Sequence, residues 1–240
     1  MARDVVLLHG FTHTGASWDP VVAALAERYR AVAPDIRGHG SASERDPVTL
    51  AAVLDDLGAL APAHFTLVGY SMGGRIALHA AFAPALAARL QRLVLIGASP
   101  GVADPAERAE RRAADERLAD DVSGMTIEEF AARWAETPVL AGQPPEVAAA
   151  VHADRLRNRP AGLAAALRGL GTGALPSLWD RLADIGVPVT LIAGERDHKF
   201  RAIATEMAAA LPDSDVAVIP GAGHAVHLEA PERVAALLRT

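Results

Sequence analysis

The 240-residue sequence contains no cysteine. That excludes disulfides, thiolate metal sites and a cysteine nucleophile. Aromatic residues make up only 4% of the chain, so each one near a candidate site counts. No stretch is long and apolar enough to span a bilayer. Residues 1–4 run straight into the apolar run 5–8. That run is too short for the core of a secretory signal, and no cleavage site follows it. The expectation is a cytoplasmic protein with no membrane partner. Excess positive charge is also missing: the net charge is -6. This argues against a nucleic-acid or anionic-membrane surface. An anionic ligand would have to be held by locally placed arginines. Internal repeats and low-complexity tails are absent as well.

Hydrophobic residues at 51% and charged residues at 22% place the chain among ordinary globular proteins. Its length suits one large domain, or a domain with an insertion. Apolar runs at 5–8, 31–33, 65–68, 92–96, 187–192 and 216–219 read as strands. Helical patterns alternate with them. One contains Trp18, Val21, Val22 and Leu25, with Ser17 as its cap; others cover 48–60, 74 to about 84, 200–211, and the stretch from Pro231. Between about 104 and 173 the alternation stops, leaving helical patterns at 104–121, 126–134, 145–156 and 160–170. The pattern predicts an α/β protein with a mostly parallel, doubly wound sheet of about six strands. A helical lid at 102–174 then divides the core into 1–101 and 175–240.

The stretch Gly69-Tyr70-Ser71-Met72-Gly73 follows one strand pattern and opens a helical one. Strand, sharp turn and helix are the context in which G-x-S-x-G presents a nucleophilic serine. The flanking positions must be small so that strand and helix can approach. A serine used as nucleophile or base needs an imidazole to take its proton and a carboxylate to orient that imidazole. Asp197, in Gly194-Glu195-Arg196-Asp197, and His224, in Gly221-Ala222-Gly223-His224, follow the last two strands in the order such sites require. All three residues fall at carboxyl ends of strands, where ligand chemistry gathers in open α/β sheets. Glu195 is an alternative orienting carboxylate. Backbone N–H groups of Met72 and Phe11 are the expected oxyanion donors.

The other histidines need placing. His227 reads as core or as support for the site. His9 reads as shaping the loop that carries Phe11. His13, His39 and His198 are plausible cleft residues, and His64, His79 and His152 read as surface or packing positions. They form no convincing metal set, so no metal or other cofactor is expected. The stretch after residue 104 is rich in both charges, the usual mark of a solvated helix face.

Together these motifs resemble the α/β-hydrolase superfamily over essentially the whole chain, which implies the α/β-hydrolase fold. Finer features resemble the 2-succinyl-6-hydroxy-2,4-cyclohexadiene-1-carboxylate synthase family of menaquinone biosynthesis. They are Gly73-Gly74-Arg75 after the serine, Ser99-Pro100-Gly101, the arginine-rich lid helix, Trp134 with Pro138, the stretch 155–163, and Glu195-Arg196-Asp197-His198-Lys199-Phe200. That family eliminates pyruvate from an enolpyruvyl cyclohexene precursor. The resemblance implies a small-molecule polycarboxylate substrate bound by Arg75, Arg111 and Arg155, with Tyr70 and Trp134 lining the cleft. Arginine suits such a ligand because its guanidinium pairs carboxylates in bidentate fashion. Arg108 or Arg112 is placed on the same helix to substitute for Arg111. The triad alone also fits a serine hydrolase of a small acidic ester, thioester or carbon–carbon substrate. A non-catalytic receptor for a small acid is the reading from a different class. Oligomeric state is not legible in the sequence.

Overall fold

The computed structural model describes residues 3–25 and 29–239; residues 1 and 2 of the N-terminal reading lie outside them. The first half runs β1 (Arg3–Leu8), α1 (Asp19–Ala24), β2 (Tyr29–Val32), α2 (Leu50–Leu60), β3 (Phe65–Tyr70), α3 (Met72–Ala80), α4 (Pro84–Ala87) and β4 (Leu90–Ile96). Four helices follow without a strand: α5 (Pro105–Ser123), α6 (Ile127–Ala135), α7 (Pro145–Arg155) and α8 (Pro160–Leu170). The chain returns to the sheet with β5 (Val189–Gly194), α9 (His198–Ala210), β6 (Ser214–Ile219), α10 (Val226–Glu229) and α11 (Pro231–Leu238).

The six strands form one sheet in the order β2-β1-β3-β4-β5-β6, and every neighbouring pair is parallel. Parallel sheets bury both faces, so their strands read as continuous apolar runs rather than alternating ones. Successive residues accordingly enter opposite cores. Val6, Leu8, Leu67, Leu93 and Leu191 join one cluster. Val5, Leu7, Val68, Val94 and Ile192 join the other. The chain moves outward from β1 to β2, then crosses to the far side of β1 for β3. That reversal is the switch point at which open sheets bind ligands, beyond the carboxyl ends of the strands.

The helical segment between β4 and β5 carries its own apolar cluster, built from Ala119, Val122, Phe130, Leu163, Ala164 and Leu167. Phe11 and Trp134 pack against it, so the segment rests on the loop after β1. A close approach secures its other end. A Cβ on Gly173 would lie 2.2 Å from the backbone nitrogen of Arg112, so only glycine lets the turn after α8 press against α5.

Two local expectations change. Ser17 does not cap α1: its hydroxyl donates to the Thr14 carbonyl at 2.8 Å, and among the described residues no side chain caps α1. Thr14 instead accepts from Ala16 N–H to start the short 3-10 turn before α1. The helix after Ser71 stops at Ala80, and Pro84 opens a separate short helix; proline suits a first helical turn because it has no N–H to leave unpaired.

Candidate active site

Ser71 sits between β3 and α3 at φ 51° and ψ -109°, in the left-handed half of backbone space that a residue with a Cβ occupies only under constraint. The constraint is visible. Ser71 N–H donates to the Ile96 carbonyl at 2.8 Å, and Arg75 N–H closes the first helical turn onto the Ser71 carbonyl at 3.1 Å. A Cβ on Gly73 would come within 2.3 Å of the Leu8 carbonyl oxygen. The small residues of the pentapeptide thus let α3 lie directly on β1 and β3, with the serine raised at their junction.

Asp197 closes the turn after β5 and caps α9, accepting from Phe200 N–H at 3.3 Å. His224 follows β6. Its Nδ1 lies 2.6 Å from Asp197 Oδ2, and its Nε2 lies 3.2 Å from Ser71 Oγ. Three turns from three strands therefore converge on one hydrogen-bonded chain, Asp197–His224–Ser71. The imidazole is flanked by the tilted Phe200 ring at 4.6 Å and the tilted Tyr70 ring at 5.2 Å, centroid to centroid. Glu195, the alternative carboxylate, is turned away: it accepts from Gly221 N–H at 2.8 Å and so braces the histidine turn from below.

The loop after β1 completes this end of the sheet. His9 Nε2 accepts from Ile36 N–H at 2.9 Å, which requires a proton-free Nε2. Burial pushes its pKa down and favours that neutral state. The loop passes so close to Ser71 that a Cβ on Gly10 would lie 3.5 Å from the serine Cβ. Met72 opens α3, so its N–H has no partner within the helix. Phe11 and Met72 both face the cavity into which Ser71 opens.

That cavity has a volume of about 790 Å3. Ser71 and His224 lie on it, together with Arg75, Arg111, Lys199, Trp134, Trp179 and Phe200. Arg75, only 8% exposed, donates through Nη1 to Thr172 Oγ1 at 2.7 Å. Its buried Nε has no partner among the described residues. Burial, followed by repulsion from Arg111, lowers its pKa to about 10, while Asp115 opposes the fall. Arg111 is oriented by Asp115, its Nε donating to Oδ1 at 2.8 Å, and Gly173 N–H donates to the other oxygen at 3.2 Å. Of the three arginines proposed on α5, Arg111 is the one that lines the cavity; Arg108 and Arg112 do not.

Two residues expected in the cleft lie behind it instead. Tyr70 is buried among His13, His224 and His227, with ring centroids 5.6, 5.2 and 4.3 Å away. As the last residue of β3 it follows the alternation of the strand into the core opposite α3. Burial raises its phenol pKa, so it stays protonated. Arg155 is 1% exposed and does not border the cavity. It donates to Thr12 Oγ1 and to the Ala131 carbonyl, both at 3.3 Å. With Asn158, whose side chain donates to the Thr12 carbonyl at 2.8 Å, it fastens the loop that carries Phe11 to α7.

The histidines divide in the same way. His13 and His39 are buried away from the cavity, and His198 is exposed at the start of α9. His227 packs on Tyr70 and on Trp18 at 4.6 Å. Burial lowers both His39 and His227 to about 3 and His13 well below its ordinary value. Lys199 and Thr172 are the residues that motif reasoning left without a role. Lys199 had a signal in its string beside Asp197; Thr172 lies in a loop with none. Among the described residues no group of three histidine, aspartate or glutamate side chains is arranged to hold a metal ion.

The profile of the Alpha/beta hydrolase family matches residues 5–237. The chain belongs to that family. Within it, a 2-succinyl-6-hydroxy-2,4-cyclohexadiene-1-carboxylate synthase from Salmonella paratyphi C is 35% identical over 97% of this chain and 91% of its own length. A Bacillus subtilis protein provisionally given the same name is 39% identical over 95% of this chain and 85% of its own length. The solved structure of MenH from S. aureus superposes with a TM-score of 0.93 at 31% identity, covering 99% of this chain and 92% of that one. A thermophilic esterase from Thermogutta terrifontis, solved with malate bound, reaches 0.80 at 29% identity, covering 100% of this chain and 89% of its own. As an α/β hydrolase the chain has its serine at the expected strand-to-helix turn.

Proposed function

We propose that this α/β hydrolase is a 2-succinyl-6-hydroxy-2,4-cyclohexadiene-1-carboxylate synthase, a carbon–oxygen lyase that eliminates pyruvate from its enolpyruvyl precursor. The observation that carries the reading is the pair Arg75 and Arg111 lining the same cavity as Ser71 and His224. A serine hydrolase acting on neutral esters has no need of two guanidinium groups beside its serine. A substrate with three carboxylates does, and Lys199 supplies a third cation on the same cavity. Trp134 and Phe200 flank the apolar ring.

Once the carboxylates are seated, Ser71 Oγ takes a ring proton as its own proton passes to His224 Nε2. Asp197 stabilises the imidazolium that forms and fixes its orientation. Electrons move through the ring, the bond to the enolpyruvyl oxygen breaks, and the leaving group departs as pyruvate after proton return. Negative charge developing on the substrate is met by the N–H groups of Met72 and Phe11. The helices of 102–174 serve as the lid that excludes water while the ring carries charge. No acyl-enzyme and no cofactor is required, and the proposed location of the enzyme is the cytoplasm.

Incubating the protein with the enolpyruvyl precursor and following pyruvate through lactate dehydrogenase tests this directly. Release well above the uncatalysed rate is expected; none from folded protein rejects the assignment. A Ser71→Ala variant should lose about a thousand-fold in rate, the usual worth of a positioned acid–base group. The structural likeness to the malate-bound esterase supports a second reading, hydrolysis of a small acidic ester. That reading requires an acyl-serine that mass spectrometry detects after reaction with p-nitrophenyl acetate.

A further inference from the structure

The turns that carry Asp197 and His224 are laced together by contacts that the triad itself does not use. Glu229, on α10, has a side chain only 2% exposed. Its Oε2 accepts from Gly223 N–H at 2.7 Å and from Arg196 Nη2 at 2.8 Å. Its Oε1 is buried with no partner among the described residues. A carboxylate so enclosed is costly unless its charge is matched, and the matching cation comes from the residue before Asp197. The second donor is the N–H of the residue before His224. The other guanidinium nitrogen of Arg196, Nη1, donates to the Gly142 carbonyl at 2.7 Å. Gly142 belongs to the helical segment, between α6 and α7. Arg196 N–H also donates to the Ala222 carbonyl at 2.9 Å. Arg196, itself in the acid turn, therefore reaches the base turn through its backbone N–H and through Glu229, and the helical segment through the other arm of its fork.

We propose that Arg196 and Glu229 are positioning residues, which hold the His224 turn against the Asp197 turn and tie both to the helical segment at Gly142. Neither touches the reacting atoms. Glu229 acts through the backbone of Gly223, fixing where the next residue places its imidazole. Arg196 acts through its fork. The planar guanidinium bonds two acceptors at once, whereas a lysine ammonium at the same place is a single point charge on a flexible stem. Seating of the segment and alignment of the Asp197–His224 pair are thereby coupled through one residue.

The proposal rests on the lyase reading for its kinetic test only, because the His224 Nδ1–H shared with Asp197 is observable without substrate. Three variants, Glu229→Gln, Arg196→Lys and Arg196→Met, are compared with wild type. The readouts are the downfield proton resonance of that Nδ1–H, kcat and KM for pyruvate release, and Tm. Glu229→Gln should shift or broaden the resonance and lower kcat about ten-fold, with KM within two-fold. Arg196→Lys should keep the resonance, lower kcat about two-fold and raise KM about five-fold, since the ion pair survives while the Gly142 tie is lost. Arg196→Met should combine both defects. An unmoved resonance with kcat within two-fold in Glu229→Gln and Arg196→Met overturns the proposal. So does a loss of activity that follows the folded fraction alone. If wild type releases no pyruvate the lyase reading fails, and the resonance still decides this proposal. If Glu229→Gln does not fold, the two Arg196 variants carry the test.

Discussion

Replacing Arg75 by methionine should cut catalytic efficiency at least a hundred-fold and stabilise the protein. Among the described residues the buried guanidinium has one hydrogen bond, to Thr172, and an unpartnered Nε. Its pKa falls from the ordinary 12.5 to about 10, first through burial and then through repulsion from Arg111. At 1.36 kcal/mol per unit, that fall means the unliganded fold opposes this charge by about 3 kcal/mol. Methionine fills a similar volume without charge. It forfeits the charged hydrogen bond to Thr172, worth about 2 kcal/mol, leaving a net gain on the order of 1 kcal/mol. For a chain of this length each kcal/mol moves Tm by about 2–4 °C, so Tm should rise by about that much. On the proposed function the same change also removes the partner of a substrate carboxylate, and kcat/KM should fall at least a hundred-fold, or about 2.7 kcal/mol. Circular-dichroism melts without ligand and the coupled pyruvate assay measure the two effects. A lowered Tm with intact activity refutes the reasoning: Arg75 would then be a structural side chain, not a binding group held ready at a cost.

Thr172→Val removes the hydroxyl that orients Arg75 but keeps its shape; KM should rise about five-fold with kcat nearly unchanged, as initial rates across substrate concentration will show. Gly73→Ala places a Cβ 2.3 Å from the Leu8 carbonyl oxygen, a clash with backbone; it should cost at least about 3 kcal/mol in urea unfolding, and a loss under 1 kcal/mol would contradict the packing described. His39 and His227 carry folded pKa values of about 3, below the 6.5 of an unfolded imidazole. Below pH 6.5 the unfolded chain binds protons that the fold refuses, so their contribution is whole above that pH and is lost as pH drops toward 3. Each should withdraw about 1.4 kcal/mol per pH unit below about pH 6; urea midpoints that stay level from pH 7 to 5 would show that the imidazoles are not buried neutral.

The parts of this protein legible in its sequence are those set by local chemistry. A parallel strand buried on both faces must be continuously apolar, so the runs around Leu7, Val68, Val94 and Leu191 were visible without coordinates. The turn around Ser71 was visible because a serine raised between strand and helix needs glycine where backbone meets backbone. Asp197 and His224 announced themselves by following strands in the required order. Boundaries shifted by a few residues: β5 begins at Val189 rather than 187, and α9 begins at His198 rather than 200.

What only the tertiary structure decided is which side of each element faces the cavity. Tyr70 and Arg155 had the right chemistry for a cleft. Strand alternation sends one into the core, and the loop at Thr12 claims the other. Thr172 had no motif, yet it holds Arg75 because the turn after α8 closes onto α3. The same distinction separates Arg111 from Arg108 and Arg112. Residue type and spacing along the chain determine what a side chain can do. Its partner is chosen by contacts between segments distant in sequence, as Arg75 is joined to Thr172, and no local pattern encodes such contacts.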